Sequence, residues 1–404
     1  MNWEVVECEY DRKEGIVRLL IRETAEFWRS ERSAEGAAVT CYDHTEEVTW
    51  RHLNVFEHRC EIRCRLPRAR CSKTGKVYRV QPPWEGLSKH FTKGFEAMAL
   101  LLMREMPMAA VARKLGENDT RLWRMMKAHV AVAHPQADWS NVYRVGCDEM
   151  SVRKGHRYVS VFCDLPGKRV LLAVPGKDKS VWEQFANALE KHHSHPRAIE
   201  EVSIDMSGAY ITGVKENCGD QTRVVFDKFH VLAHVNQAVD DVRRAETRMS
   251  DREGRDALKK TRWMLRKNPE NHTEKERAQR QRIESENLHS AKAYQMRLTL
   301  QDIYQMDSEL RAKRKLRAWC RWVRRVAARN KSLLYKPMLK CAEMIERHLA
   351  GILAHWKCRT TNAFMEGLMS VFSATKRKAR GYRSTDNLIT MLYFTSANLR
   401  IPAH

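Results

Sequence analysis

Three carboxylates mark where this sequence could do chemistry. Asp148 closes a strand-like segment, VYRVGCDE, and Asp205 closes another, EEVSIDM. Either acid alone reads as an ordinary solvated group at a strand end. Placed at the ends of neighbouring strands they would face each other and repel, and hard oxygen ligands in that position suit Mg2+ or Mn2+. Glu366 falls in TTNAFMEGLMSVFSATKRKARGYR, where Phe364, Leu368, Val371 and Phe372 recur at helical spacing. That puts it close to the apolar side of a helix, where an unpaired acid is costly. It reads either as the third carboxylate of a two-metal site or as an edge glutamate paired with Lys or Arg.

The elements around these acids can be read from periodicity. From Asn141 the apolar period becomes two, and VYRVGCDE, HRYVSVFCDL and KRVLLAV predict three successive strands, turning at Lys154-Gly155 and Pro166-Gly167. A helix (SVWEQFANALEKHH), a strand (EEVSIDM), a helix (GAYITGVKENC) and a strand (TRVVFD) follow. Three hairpin-linked strands followed by alternating helix and strand predict an α/β sheet of ribonuclease H-like type. Strand signals stop after Asp227, and about 231–355 reads as helical and highly charged. Within it, Arg311 to Lys331 contains no acid, and Leu316, Trp319, Cys320 and Val323 form one apolar face. The remaining faces carry Arg314, Lys315, Arg321, Arg324 and Arg325, which reads as a solvated bundle helix or as a phosphate-tracking surface. Lys376, Arg377, Lys378 and Arg380 offer further phosphate contacts.

Ahead of the sheet, KHFTKGFEAMALLLMRE, MAAVARKLG and NDTRLWRMMKAHVAV predict three helices. The second ends at Gly116, and Asn118, Asp119 or Thr120 can cap the third. A short helix, a Gly-containing turn and a helix bearing Arg121 and Arg124 is what a helix-turn-helix needs, though a plain three-helix bundle has the same pattern. Met1 to about Pro83 looks irregular and holds Cys8, Cys41, Cys60, Cys64 and Cys71 with His44, His52 and His58 between them, the sign of a small separate module. Its segment HRCEIRCRLPRARC alternates in places like a strand, and Pro82-Pro83 marks a break.

Composition narrows the partners. A chain of 404 residues is long enough for two to four folded units. Its 73 Lys and Arg against 50 Asp and Glu leave a net charge of +23, the balance of a protein that binds a polyanion, most commonly nucleic acid. A membrane partner fits poorly, because no stretch approaches the roughly 18 apolar residues of a spanning helix. The start, MNWEVVECEYDRKEG, lacks the order of a signal peptide. Eleven scattered cysteines argue for reduced thiols. No Gly-rich phosphate loop is present, so ATP hydrolysis has no support.

Five separated strings match one family in its order: VGCDEMSVRKGHRYVSVFCDL, EVSIDMSGAY, VVFDKFHVLAHVNQAVDDVRR, RWMLRKNPENHTEKERAQ and RTTNAFMEGLMSVFSATKRKARGYRSTDNL. Over most of its length, from about Val39 onward, the chain resembles the ISL3 family of bacterial insertion-sequence transposases. The resemblance implies metal-dependent cleavage and strand transfer of DNA by an Asp, Asp, Glu triad, here Asp148, Asp205 and Glu366, holding two Mg2+ or Mn2+ ions. It gives Asp227 and His230, in FDKFHV, a supporting role near the metals. Its implied organisation is α+β and multidomain: a zinc-finger-like module at 1–83, a helix-turn-helix at 84–138, a ribonuclease H-like core at 139–235, an all-helical insertion at 236–355, and the rest of the core at 356–404. The implied partners are double-stranded DNA, both terminal inverted repeats and target, and a second copy in a synaptic dimer; the implied location is the cytoplasm, at the nucleoid. Relatives bind zinc through an early CxxC-type pair and a later Cys/His pair. Here WRSERSAEGAAVT, just before Cys41, has no cysteine, and a zinc set could be drawn only from Cys41, His44, Cys60, Cys64 and Cys71, at a spacing unlike a closed site.

Overall fold

The computed structural model describes residues 2–153, 157–329, 333–358 and 363–401. The chain divides into two compact units, one of Met1–Ala137 with Ser370–His404 and one of Asp138–Met369.

The first 83 residues are not irregular. They form β1 (Trp3–Asp11), β2 (Ile16–Glu23), a short α1 (Ala25–Ser30), β3 (Val39–Val55), β4 (His58–Cys71) and β5 (Val77–Arg79). The sheet order is β1-β2-β4-β3, with β5 also paired to β4. Alternation fails to announce these strands for physical reasons. β1 leaves nearly all of its side chains exposed, and β3 shifts register against β4 at Cys41/Asp43, His44/Glu47 and His52/Val55, so neither keeps a period of two. HRCEIRCRLPRARC is β4 itself. Its core is aromatic: Trp84 meets Trp3 edge to face at 5.0 Å and Trp50 at 6.0 Å, with Ile62, Cys64 and Leu66 packed beside them.

Three helices follow as the periodicity predicts: α2 (Lys93–Glu105), α3 (Met108–Leu115) and α4 (Asp119–Ala133). Gly116 ends α3 at φ 62, the left-handed conformation that glycine adopts without strain, and the Asn118 side chain caps α4 by accepting from Thr120 N at 2.8 Å. Buried Arg51 of β3 ties the sheet to this turn, with its Nε 3.7 Å from Glu117 Oε1.

In the second unit, β6 (Arg144–Arg153), β7 (Arg157–Asp164) and β8 (Arg169–Pro175) form an antiparallel meander. The turn expected at Lys154-Gly155 lies outside the described residues, and the one at Pro166-Gly167 is closed by Gly167 N donating to Asp164 Oδ1 at 3.0 Å. Then come α5 (Ser180–Lys191), β9 (Glu201–Ile204), α6 (Gly208–Asn217) and β10 (Arg223–Phe226). The sheet order is β10-β9-β6-β7-β8, with β9 parallel to β6 and β10 parallel to β9. The apolar stripe Val181, Trp182, Phe185 and Leu189 of α5 is buried, and Phe185 stacks on Phe162 of β7 at 4.4 Å.

Only helices follow β10 among the described residues: α7 (Lys228–Met249), α8 (Arg252–Leu258), α9 (Glu274–Ser285), α10 (His289–Tyr304), α11 (Glu309–Arg329), α12 (Lys336–Arg347), α13 (Leu349–Cys358), α14 (Ala363–Lys378) and α15 (Thr385–Ser396). α11 buries Leu316, Trp319, Cys320 and Val323, the face its sequence predicts; Lys331, the end of the acid-free run, is outside the described residues. α14 buries Met365, Leu368 and Phe372, whereas Val371, expected on the same face, is 56% exposed. α15 belongs to the first unit, where Met391 and Phe394 join one core with Leu122, Met125 and Val130 of α4. No described helix is long and apolar enough to cross a membrane.

Candidate active site

Parallel pairing brings Asp148, Asp205 and Asp227 level across three neighbouring strands. Asp205 and Asp227 directly follow the ends of β9 and β10, whereas β6 does not close at Asp148 as its sequence suggests but continues to Arg153, because it stays paired with β7 beyond the reach of β9. Gly146 of β6 pairs with Ser203 of β9, so Asp148 and Asp205 each follow two residues beyond a matched pair. Phe226 of β10 pairs with Ile204, which puts Asp227 level with Asp205, and Asp227 N donates to Ile204 O at 3.2 Å. Each acid is held by a backbone amide: Asp148 Oδ1 accepts from Glu149 N at 2.7 Å, Asp205 Oδ1 from Ser207 N at 2.9 Å, and Asp227 Oδ1 from Phe229 N at 3.0 Å. The last is the N-cap of α7, so Asp227 starts the helix that carries His230.

The electrostatics fit a cluster of like charges. Burial holds the Asp148 carboxyl above the usual carboxylate range, and repulsion from Asp205 and Asp227 adds to it; the Glu149 amide and His230 pull the other way. His230 Nε2 is 4.0 Å from Asp148 Oδ1. Glu149, the next residue on β6, is raised by burial and by Asp205. Behind this edge Tyr210 of α6 is fully buried, its hydroxyl 2.6 Å from Ser160 Oγ of β7. Sequence reasoning overlooked Glu149, Tyr210 and Ser160. The signals were the acid pair in CDE and the Tyr in SGAY, neither of which is informative before the register is known.

Glu366 lies on α14 one position past Met365, and its side chain is outside the described residues. Its helix reaches β6 all the same. A Cβ added to Gly146 would stand 2.9 Å from Met365 Cγ and 2.8 Å from Leu165 Cδ2, so only glycine lets α14 approach two residues before Asp148. A similar contact seats α13 on β10, where a Cβ on Gly351 would be 2.5 Å from the Phe226 ring. Among the described residues no three His, Cys, Asp or Glu side chains close around one point. The donors of Asp148, Asp205 and Asp227 are nonetheless hard oxygens with accumulated negative charge, the chemistry that fits Mg2+ or Mn2+.

The zinc set does not fit. Cys60, Cys64 and Cys71 lie along the single strand β4, and Cys60 and Cys71, eleven residues apart, are separated by about 36 Å at the rise of a strand. His44 Nε2 is engaged 2.8 Å from Glu23 Oε1, Cys41 is exposed, and burial pushes the Cys64 thiol up to about 12. The five candidates therefore do not assemble a tetrahedral site.

The basic residues expected to meet DNA fall into two groups. Arg121 is turned to its own unit: it donates to Glu117 Oε2 at 2.8 Å and lies over Phe91 at 4.7 Å. Arg324 is paired with Glu346, and Lys378 Nζ donates to Glu105 O at 2.8 Å. Arg124, Arg314, Lys315, Arg321, Arg325, Arg377 and Arg380 are exposed, and Lys376 is partly so.

Three family profiles match the chain. One described as "Transposase" covers residues 145–392, the helix-turn-helix domain of transposase family ISL3 covers 82–130, and the zinc-finger of the IS204/IS1001/IS1096/IS1165 transposases covers 36–73. The chain is 26% identical over 341 residues to the transposase for insertion sequence element IS1001 of Bordetella parapertussis, covering 83% of this chain and 81% of that one. It is also 26% identical over 394 residues to the transposase for IS1557 of Mycobacterium tuberculosis, covering 90% and 85%.

Proposed function

The chain belongs to the ISL3 family of transposases, of the DDE type that cleaves DNA and transfers strands, and from that premise we propose that Asp148, Asp205 and Glu366 are its catalytic triad. The observation that carries the assignment is the level placement of Asp148 and Asp205 on parallel neighbours β6 and β9, with Asp148 raised by burial and by the facing acids. The close approach of α14 to Gly146 supports the third member. The order β10-β9-β6-β7-β8 supports a ribonuclease H-like core, and the helices between β10 and α14 are its insertion. The α3-turn-α4 unit reads the terminal repeats, α11 and the basic end of α14 follow phosphates, and two copies meet in a synaptic complex.

Divalent ions held by Asp148, Asp205 and Glu366 would supply activation of a water or a DNA 3′-hydroxyl and stabilisation of the leaving oxygen. The chain's own task is to keep the carboxylates aligned. Backbone amides fix one oxygen of each aspartate and leave the other to ligate, and Asp227 as helix cap holds His230 beside Asp148. No side-chain nucleophile is required, because cleavage and joining are the same in-line displacement with different attacking hydroxyls.

The test uses full-length protein, Mg2+ and duplexes carrying the inverted repeats that flank its gene. Metal-dependent nicking at the repeat ends, followed by joining to a second duplex, is the expected outcome. Repeat binding with no cutting in Mg2+ or Mn2+ would leave only a transposase-derived regulator.

A further inference from the structure

Trp263 is the one exposed tryptophan among the described residues, at 62%. It sits in RWMLRKNPENHTEKERAQ, a motif to which the triad assigns no role. Leaving so large an apolar ring in water is unfavourable, and mobility of the loop does not account for it. Met264 and Leu265 beside it are buried, and the Thr261 hydroxyl donates to Leu258 O at 2.7 Å. The Arg297 guanidinium donates to Arg266 O and Lys267 O at 3.2 Å, and the Tyr294 hydroxyl to Lys267 O at 2.8 Å. The ring is thus held out on a fixed frame. Two guanidiniums lie beside it, Arg262 at 5.1 Å and Arg266 at 5.4 Å from the ring centroid.

We propose that Trp263, with Arg262 and Arg266, is a stacking platform for an unpaired nucleobase of the DNA handled at the candidate active site, a reading that rests on the transposase assignment. The surrounding charge selects nucleic acid over an apolar partner. From 255 to 267 the chain carries Arg255, Lys259, Lys260, Arg262, Arg266 and Lys267, with Asp256 its only acid. Phosphates on either side of a stacked base would meet that charge, and any base offers a π face. Bases within a duplex are already stacked, so the platform favours an unpaired one. Its distance from the chemistry is suitable. Arg262 Nε lies 3.7 Å from Asp240 Oδ2, and Asp240 is thirteen residues along α7 from Asp227, about 20 Å by helix rise, which is roughly six base steps.

The experiment compares full-length wild type, Trp263→Ala and Trp263→Phe on two probes: a blunt duplex, and the same duplex with an overhang carrying 2-aminopurine. Wild type is expected to prefer the overhang and quench the 2-aminopurine. Trp263→Ala should lose about tenfold in overhang affinity and the quenching with it, while blunt-duplex affinity is unchanged, and Trp263→Phe should recover most of both. Equal losses on both probes, or none on either, would overturn the platform. So would a change in sedimentation of Trp263→Ala without DNA, which would mark a self-association face. Failure of the transposase reading appears instead in the wild type, which would then bind the probes yet nick no repeat end in Mg2+ or Mn2+; failure of the platform appears only in the variant.

Discussion

Asp148 and Asp205 occupy equivalent positions on two parallel neighbouring strands, each two residues past the matched pair Gly146 and Ser203. That register brings together carboxyls separated by more than fifty residues of sequence, and Asp148 is raised by burial and by the acids facing it. Asp148→Ala, Asp205→Ala and Glu366→Ala are each expected to abolish DNA cleavage while duplex affinity stays within a few-fold of wild type. Wild-type cutting by any one of the three would remove that residue from the triad.

Gly146 provides an independent handle on the same geometry. Gly146→Val places side-chain atoms where Met365 and Leu165 already are. Overpacking of this kind costs about 1–3 kcal/mol, and here it also pushes the start of α14 off β6. The expected result is a lower thermal midpoint together with a loss of cleavage larger than the stability change explains. An unchanged cleavage rate would separate α14 from catalysis.

How much of this was readable beforehand depends on the range of the interactions involved. The limits of α3 and α4 follow from Gly116 and Asn118, whose preferences are local, and β6 to β10 follow from alternation within a few residues. The N-terminal sheet was not readable, since β1 is exposed along most of its length and β3 is bulged. The pattern also put Val371 on the buried face of α14, because a period of 3.6 cannot tell which edge of a broad apolar stripe meets a neighbour. The association of α15 with α4 is set by contacts some 260 residues apart in the chain, which no local pattern encodes.

The two arginines of α4 should separate in function. Arg124 is exposed, whereas Arg121 is held by Glu117 and Phe91. Arg124→Ala is expected to cost about 1–3 kcal/mol of discrimination between the terminal repeat and random duplex. Arg121→Ala should lower the melting temperature and leave discrimination nearly intact. Competition binding with the two duplexes, alongside thermal unfolding of each variant, distinguishes the roles, and the opposite pattern would reverse them.

The zinc-finger match at 36–73 coincides with β3 and β4, whose thiols are strung along the strand rather than gathered. An aromatic core of Trp3, Trp50 and Trp84 does the work of holding this sheet. Purified protein should therefore carry zinc well below one equivalent, and a chelator should leave its thermal unfolding unchanged. Stoichiometric zinc, with unfolding of the module on its removal, would show that the thiols rearrange to bind it.

The DNA-reading part does not end where the helix-turn-helix does. Its boundary by sequence is near residue 138, yet Met391 and Phe394 of α15 are 5% and 4% exposed within the core that contains Leu122, Met125 and Val130. Lys127 is also paired with Asp386, and Arg383 Nη2 lies 3.2 Å from Asp119 Oδ2, so the start and the middle of α4 are tied to the C-terminal segment. Burying the two large side chains contributes about 1.5–3 kcal/mol each. A fragment of residues 1–137 leaves that surface of α4 in water and should be destabilised by several kcal/mol. Adding a peptide of residues 370–401 should raise its melting temperature and restore selection of the terminal repeat. If the short fragment melts at the same temperature with and without the peptide, and selects the repeat equally well, α15 has no part in shaping the DNA-reading surface.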